Sequence, residues 1–244
     1  MPDYRLADPA VLAFVAIPVL LVGALAWGTA VAWRRAGANA SSATRAAVTT
    51  AIAACAWMAV TWLAATSGIL REWERNPPPF ALLVVAIIVL AVVIAYSPFG
   101  GRIAWQIPLW ALVAVQAFRL PLELAMHEMY ARGIMPVHMS YSGRNFDIVT
   151  GATAIVVAAL VAAGRAERGL VLVWNILGLG LLLNVMTVAI LLTPRVRYFG
   201  DEYLNVWVTY PPFVWLPAVM VLAALAGHLL IFRALARAGT THPR

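Results

Sequence analysis

Three ionisable residues recur at intervals of four in the stretch Phe118-Arg119-Leu120-Pro121-Leu122-Glu123-Leu124-Ala125-Met126-His127-Glu128. At 3.6 residues per turn, Arg119, Glu123 and His127 share one narrow helical face. Their neighbours are apolar, so this face belongs to a segment that reads as a membrane span. A charge at the bilayer centre costs about 2.5–3.5 kcal/mol on insertion scales. Arg119 and Glu123 are therefore expected to pair with each other or to line a hydrated cavity between helices. The chemistry on offer is a cation that can hold an anionic group or bias the protonation of Glu123, a carboxyl that can carry a proton, and an imidazole that can relay protons near neutral pH. Pro121 lacks an N–H, which leaves the Ala117 carbonyl free and predicts a kink at the same level. The competing reading is a buried ion pair that only fixes helix packing.

The loop that follows carries His138, Arg144, Asn145 and Asp147 and returns the chain to the outer end of the same helix. It predicts a polar roof over the Arg119/Glu123/His127 face. Asp147 or Asn145 also reads as the N-cap of the next helix, and Gly143 as a turn. Asn184, in the sixth apolar run, is expected near the level of Glu123; a cross-helix hydrogen bond is the plainer reading for it and for Asn175. His228 falls in the inner half of the last run, apart from His127, so a transmembrane bis-histidine haem is not expected. His127 and His138 with Met126, Met129, Met135 and Met139 have the softness for copper(I), but methionine in an apolar chain serves mostly as filler. No metal site is expected and no cofactor is identified. Cys55 is the only cysteine, which rules out an intrachain disulfide and cysteine-based metal centres; in Ala-Ala-Cys-Ala it reads as inert packing.

The elements that must position these residues are membrane helices. The chain is 64% hydrophobic and 11% charged, where a soluble domain carries about 25% charged residues. Seven apolar runs, at about 10–33, 48–69, 80–96, 103–130, 148–163, 170–192 and 212–232, each approach the length needed to cross the hydrocarbon core. The first lacks a basic leading segment and does not read as a cleaved signal. Arginine placement sets the orientation. One set of ends holds Arg34, Arg35, Arg45, Arg102, Arg165, Arg168, Arg233, Arg237 and Arg244 against Glu167 alone, nine minus one, or +8. The other set holds seven arginines (Arg5, Arg71, Arg75, Arg132, Arg144, Arg195, Arg197) and seven acids (Asp3, Asp8, Glu72, Glu74, Asp147, Asp201, Glu202) and is neutral. The positive set is expected to be cytoplasmic. The expected fold is all-α: a single domain over 1–244, a polytopic bundle of seven transmembrane helices with its N-terminus outside and its C-terminus in the cytoplasm.

All 17 basic residues are arginine. Without lysine there is no retinal Schiff base and no Walker A phosphate loop. The +7 net charge follows the membrane ends, so no nucleic-acid partner is expected. The pattern Phe118-Arg119…Glu123…His127, then Gly133…Pro136…Met139-Ser140…Gly143…Asn145-Phe146-Asp147, resembles one in many uncharacterised bacterial inner-membrane proteins. Trp174-Asn175, Leu183-Asn184 and Pro212-Phe213-Val214-Trp215-Leu216-Pro217 share the likeness, which covers roughly the C-terminal half. It implies a multi-pass bacterial inner-membrane setting and no particular activity. The leading expectation is a protein with an outward-facing polar pocket that binds or moves a small solute or protons, with the lipid bilayer as its surroundings. Two alternatives stay open: a membrane-embedded enzyme acting on a lipid or isoprenoid-like substrate, and a structural partner or assembly factor of a membrane complex. Whether the chain is an enzyme, and its oligomeric state, are left open.

Overall fold

A computed structural model describes residues 8–239. Asp3, Arg5 and Arg244, which enter the arginine count, lie outside the described residues. The described chain is all-α, with no strand among the described residues. Six stretches are long and apolar enough to cross a membrane: α1 (Pro9–Arg35), α2 (Ala40–Thr66), α3 (Pro79–Tyr96), the composite Leu109–Ala131, α8 (Arg168–Leu191), and Leu216–Arg237, which runs into α9 (Leu222–Gly239). The composite consists of α5 (Leu109–Val115), a 3-10 turn at Gln116–Phe118, and α6 (Arg119–Ala131). The seventh apolar helix, α7 (Ile148–Ala162), has 15 residues and is about 22 Å long, short of the ~30 Å hydrocarbon core.

Helix boundaries follow local chemistry. Asp8 caps α1 by accepting from the Ala10 N–H at 3.0 Å, with Pro9 in the first turn. Asn39 caps α2 by accepting from Ser42 N–H, so α2 starts well before the apolar run at 48. The fourth run does not begin at 103 as its hydropathy suggests. Ser97 caps a separate short helix, α4 (Pro98–Gln106), and Pro108 holds Ile107 in extended backbone, so the membrane segment starts at Leu109. Pro121 falls in the first turn of α6, and the irregularity it causes is the 3-10 turn just upstream. Pro217 sits at the start of a π-helical turn, Leu216–Val221.

The two classes of ends gather at opposite ends of the bundle. At the arginine-rich end Arg102 stacks over Trp33, and Arg233 and Arg237 over Trp105 of α4. Arg233 also donates to the Ala95 and Ser97 carbonyls, closing the end of α3. At the neutral end Arg132 bridges Asp8 and Glu128, while Arg71 donates to the Thr209 carbonyl and covers Tyr210. α9 is the central helix and packs on α3, α4, α5 and α8. α2 is peripheral, held mainly to α1, and Cys55 lies on its exposed face rather than in packing, because no third helix covers that side.

The last loop, 193–211, is partly buried. Two 3-10 turns fold it inward, burying Asn205, Trp207, Val208 and Thr209 in the neutral end.

Candidate functional site

The loop between α6 and α7 dips into the bundle. Gly151 of α7 lies so close to α6 that a Cβ there would come within 2.3 Å of the Leu120 N–H nitrogen. Counting helical rise from that contact sets Asp147 about 10 Å below the end of α6. Non-helical backbone at such depth must be buried in protein or line a cavity, and Met139, Ser140, Asn145 and Asp147 are all buried. Gly143 lets the loop close on itself, since a Cβ there would meet the Val137 carbonyl at 2.2 Å. The shortness of α7 is thus the space taken by the loop.

The loop delivers two polar side chains to α6. Arg119, 1% exposed, donates through Nε to Asp147 Oδ2 at 2.5 Å and through Nη2 to Asp147 Oδ1, a bidentate pair. Its Nη1 meets His228 Nε2 of α9 at 2.8 Å. A guanidinium only donates, so Nε2 accepts and the imidazole proton is on Nδ1, which donates to Asn175 Oδ1 of α8 at 2.8 Å. Asn175 Nδ2 in turn donates to the His228 carbonyl at 3.0 Å. Gly178 makes room for the imidazole: a Cβ there would meet Cε1 at 2.8 Å. Asp147, His228 and Asn175 therefore hold Arg119 from three elements.

Glu123, 2% exposed, is held differently. It forms no ion pair among the described residues; the expected direct pairing with Arg119 is replaced by the Arg119–Asp147 pair. Its two oxygens accept from Asn145 Nδ2 at 3.0 and 2.8 Å, and the same amide contacts the Met139 carbonyl at 2.9 Å. Asn145 Oδ1 accepts from the Asp147 N–H at 3.0 Å, joining the two carboxyl groups through one side chain.

The remaining expected positions spread outward. His127 Nδ1 lies 2.9 Å from Ser140 Oγ and stacks on Tyr141 at 4.3 Å, fastening the loop to α6. His138 stacks on Phe199 at 4.5 Å with Tyr203 edge-on; burial, and secondly Arg144, holds its pKa below the usual histidine value. Arg144 is exposed and covers Phe199. Asn184 is exposed and donates to the Arg144 carbonyl at 2.7 Å, one residue from Asn145, rather than touching Glu123 itself. Asp147 does occupy the N-cap position of α7, but makes no capping bond because its carboxylate is committed to Arg119. His228 and Asn175 join the site although sequence spacing does not group them with it. Among the described residues no cluster of three or more His, Cys, Asp or Glu could hold a metal ion.

Beside these groups lies a cavity of about 80 Å³ between α3, α6, α8 and the π turn with α9. Its wall is apolar, with Ile87, Met126, Leu182, Val185, Met220 and Ala224 among the lining residues. Arg119, Glu123 and Asp147 border it on the α6 side and Asn205 toward the neutral end. Along α8 the wall runs from Leu182 to Ile190, about 12 Å of helical rise. The cavity exists because α3 and α8 both pack on α9 but scarcely meet each other. It is an apolar cleft with one ionisable edge, not the polar pocket expected from the α6 spacing. No family model, curated protein or solved structure matches this chain.

Proposed function

We propose that the chain is a seven-span protein of a bacterial inner membrane that binds a small amphiphilic solute in this cleft, its apolar part against α3, α8 and α9 and its hydrogen-bonding head at Glu123. The observation that carries the reading is the pairing of unlike surfaces. A buried carboxyl with a single neutral donor forms one edge of a cleft whose other walls are almost entirely hydrocarbon and thioether. Buried polar groups without full hydrogen bonding are costly, and a solute that supplies both an apolar body and a polar head satisfies the two surfaces together. Arg119 does not hold the solute's anion in this reading, because Asp147 already occupies it; Arg119, Asp147, His228 and Asn175 form the frame that fixes the loop and hence Asn145 and Glu123.

The membrane arrangement rests on three supports. The arginine asymmetry favours the arginine-rich end as cytoplasmic. The dipping loop extends the short α7 toward the outer boundary, which gives an odd number of crossings. The resemblance on Phe118–Asp147 favours the bacterial inner membrane. A topology reporter inserted at 200–205 is expected to read as external and one joined after Arg244 as cytoplasmic; an external C-terminus would remove both the count and the orientation.

Binding is tested with the four methionines of the cleft wall, Met126, Met139, Met186 and Met220, as probes. With methyl-labelled methionine in the full chain in lipid nanodiscs, 1-butanol is expected to give nuclear Overhauser contacts to Met126 and Met220. The contacts disappear in Ala224→Leu, which fills the cleft. No contact in the wild-type protein, or equal contact in the filled variant, would end the proposal.

A further inference from the structure

The charge balance of the cleft defines the head group it takes. We infer that the cleft binds a lipophilic monocation, a primary ammonium on a short apolar chain, in exchange for a proton at Glu123; this rests on the solute-binding reading above. Arg119 and Asp147 cancel in their bidentate pair. His228 adds no charge, because it accepts from Arg119 through Nε2 and gives its one ring proton to Asn175. Ionised Glu123 therefore leaves the site one positive charge short. Its other surroundings supply none. Of the charged and titratable groups on the elements around it, Arg119 is on its own helix, Asp147 on the dipping loop and His228 on α9, while the cleft faces of α3 and α8 carry none. His127, one turn further along α6, is engaged with Ser140.

A buried charge without a counter-charge is strongly disfavoured. The missing positive charge must be a proton on Glu123 or a cation in the cleft beside it, and the two are mutually exclusive. Hydrogen bonding selects a donor-bearing cation. A carboxylate has about four acceptor sites, and only the Asn145 amide uses them. Further along the cleft, Asn205 is fully buried and its Oδ1 has no partner. Under-used acceptors at two levels of an apolar cleft match an N–H-bearing ammonium better than an anion or a quaternary centre. The proton released on binding is the one that had neutralised the Glu123 carboxyl, so charge is conserved within the site.

The probe is n-butylammonium, with 1-butanol as its neutral counterpart, on the full chain in nanodiscs in weakly buffered solution. Saturation with n-butylammonium is expected to release one proton per chain and to remove the carboxylic C=O band of Glu123 from the infrared difference spectrum of the wild-type protein. Its apparent affinity rises about tenfold per pH unit on the acid side of the exchange. Glu123→Gln abolishes the release and flattens the pH dependence, while 1-butanol binds both proteins and releases no proton. The infrared measurement needs no variant, so a misfolded Glu123→Gln protein does not block the test. If 1-butanol reaches Met126 and Met220 but n-butylammonium releases no proton and leaves the carboxyl band intact, the cation exchange is overturned and the solute site stands. If the Gln variant releases the proton equally, Glu123 is not the exchanging group. If neither molecule contacts the cleft methionines, the solute site itself falls.

Discussion

Asp147 and Glu123 are two buried carboxyl groups, joined by Asn145, with opposite surroundings. Asp147 accepts from two guanidinium positions of Arg119, whose third nitrogen is anchored on His228. Glu123 accepts from one neutral amide that it shares with a backbone carbonyl. The first is a closed arrangement of charge-assisted bonds; the second has acceptor capacity left over and borders empty space. The difference separates scaffold from site. A residue with all its bonds made within the protein has little to offer a ligand, whereas one held in place but incompletely bonded is prepared to bind.

The largest effect should come from breaking the closed half. Arg119→Leu leaves Asp147 buried without its cation and should destabilise the protein by ~3–5 kcal/mol. Unfolding in mixed micelles measures this, and the double variant Arg119→Leu/Asp147→Leu should recover part of the loss, because it removes both charges. A single variant within experimental error of wild type would show that the pair is not closed. His228→Leu comes next, at ~1–3 kcal/mol, since it strands one Arg119 donor and the Asn175 side-chain oxygen together. Here the same unfolding assay, with His228→Gln as the milder comparison, separates lost hydrogen bonding from altered packing. Glu123→Gln should cost no more than ~1 kcal/mol, because an amide of the same shape still meets Asn145 and no salt bridge is lost. A cost equal to that of Arg119→Leu would erase the distinction between the two carboxyl groups. Asn184→Ala should be smallest, ~0.6 kcal/mol, the typical value of one side-chain hydrogen bond in a membrane protein, here from α8 to the dipping loop; a loss of the 1-butanol contacts with intact stability would move Asn184 back toward the site.

Hydropathy carries most of the helix layout, and the α6 face of Arg119, Glu123 and His127 follows from spacing alone. What escapes is whatever depends on rotation and depth between segments. Spacing within one helix cannot say that Arg119 turns toward Asp147, 28 residues on, rather than toward Glu123, four residues on. Beginning the fourth run at 103 sets Arg119 too near the outer end; its segment starts at Leu109 and the last one ends at Arg237, so Arg119 and His228 lie ten and nine residues from the same end of the bundle. The run at 148–163 looks like a slightly short span, and only the contact of its helix at Gly151 reveals that the preceding loop fills the missing depth. Pro108 is legible as a breaker, but the apolar character of 103–107 hides it in a continuous run.

The shortness of α7 also bears on how the protein reaches its folded state. Only residues 163–167 separate α7 from α8, so the two are tied as a helical hairpin in which α8 is much the longer arm. Segment 132–147 can be buried only with Arg119 turned toward it, because no other cation among the described residues pairs with Asp147. A chain with α6 misrotated would leave Asp147 without its cation and Arg119 facing hydrocarbon, so the rotation of α6 and the burial of the loop are one requirement rather than two.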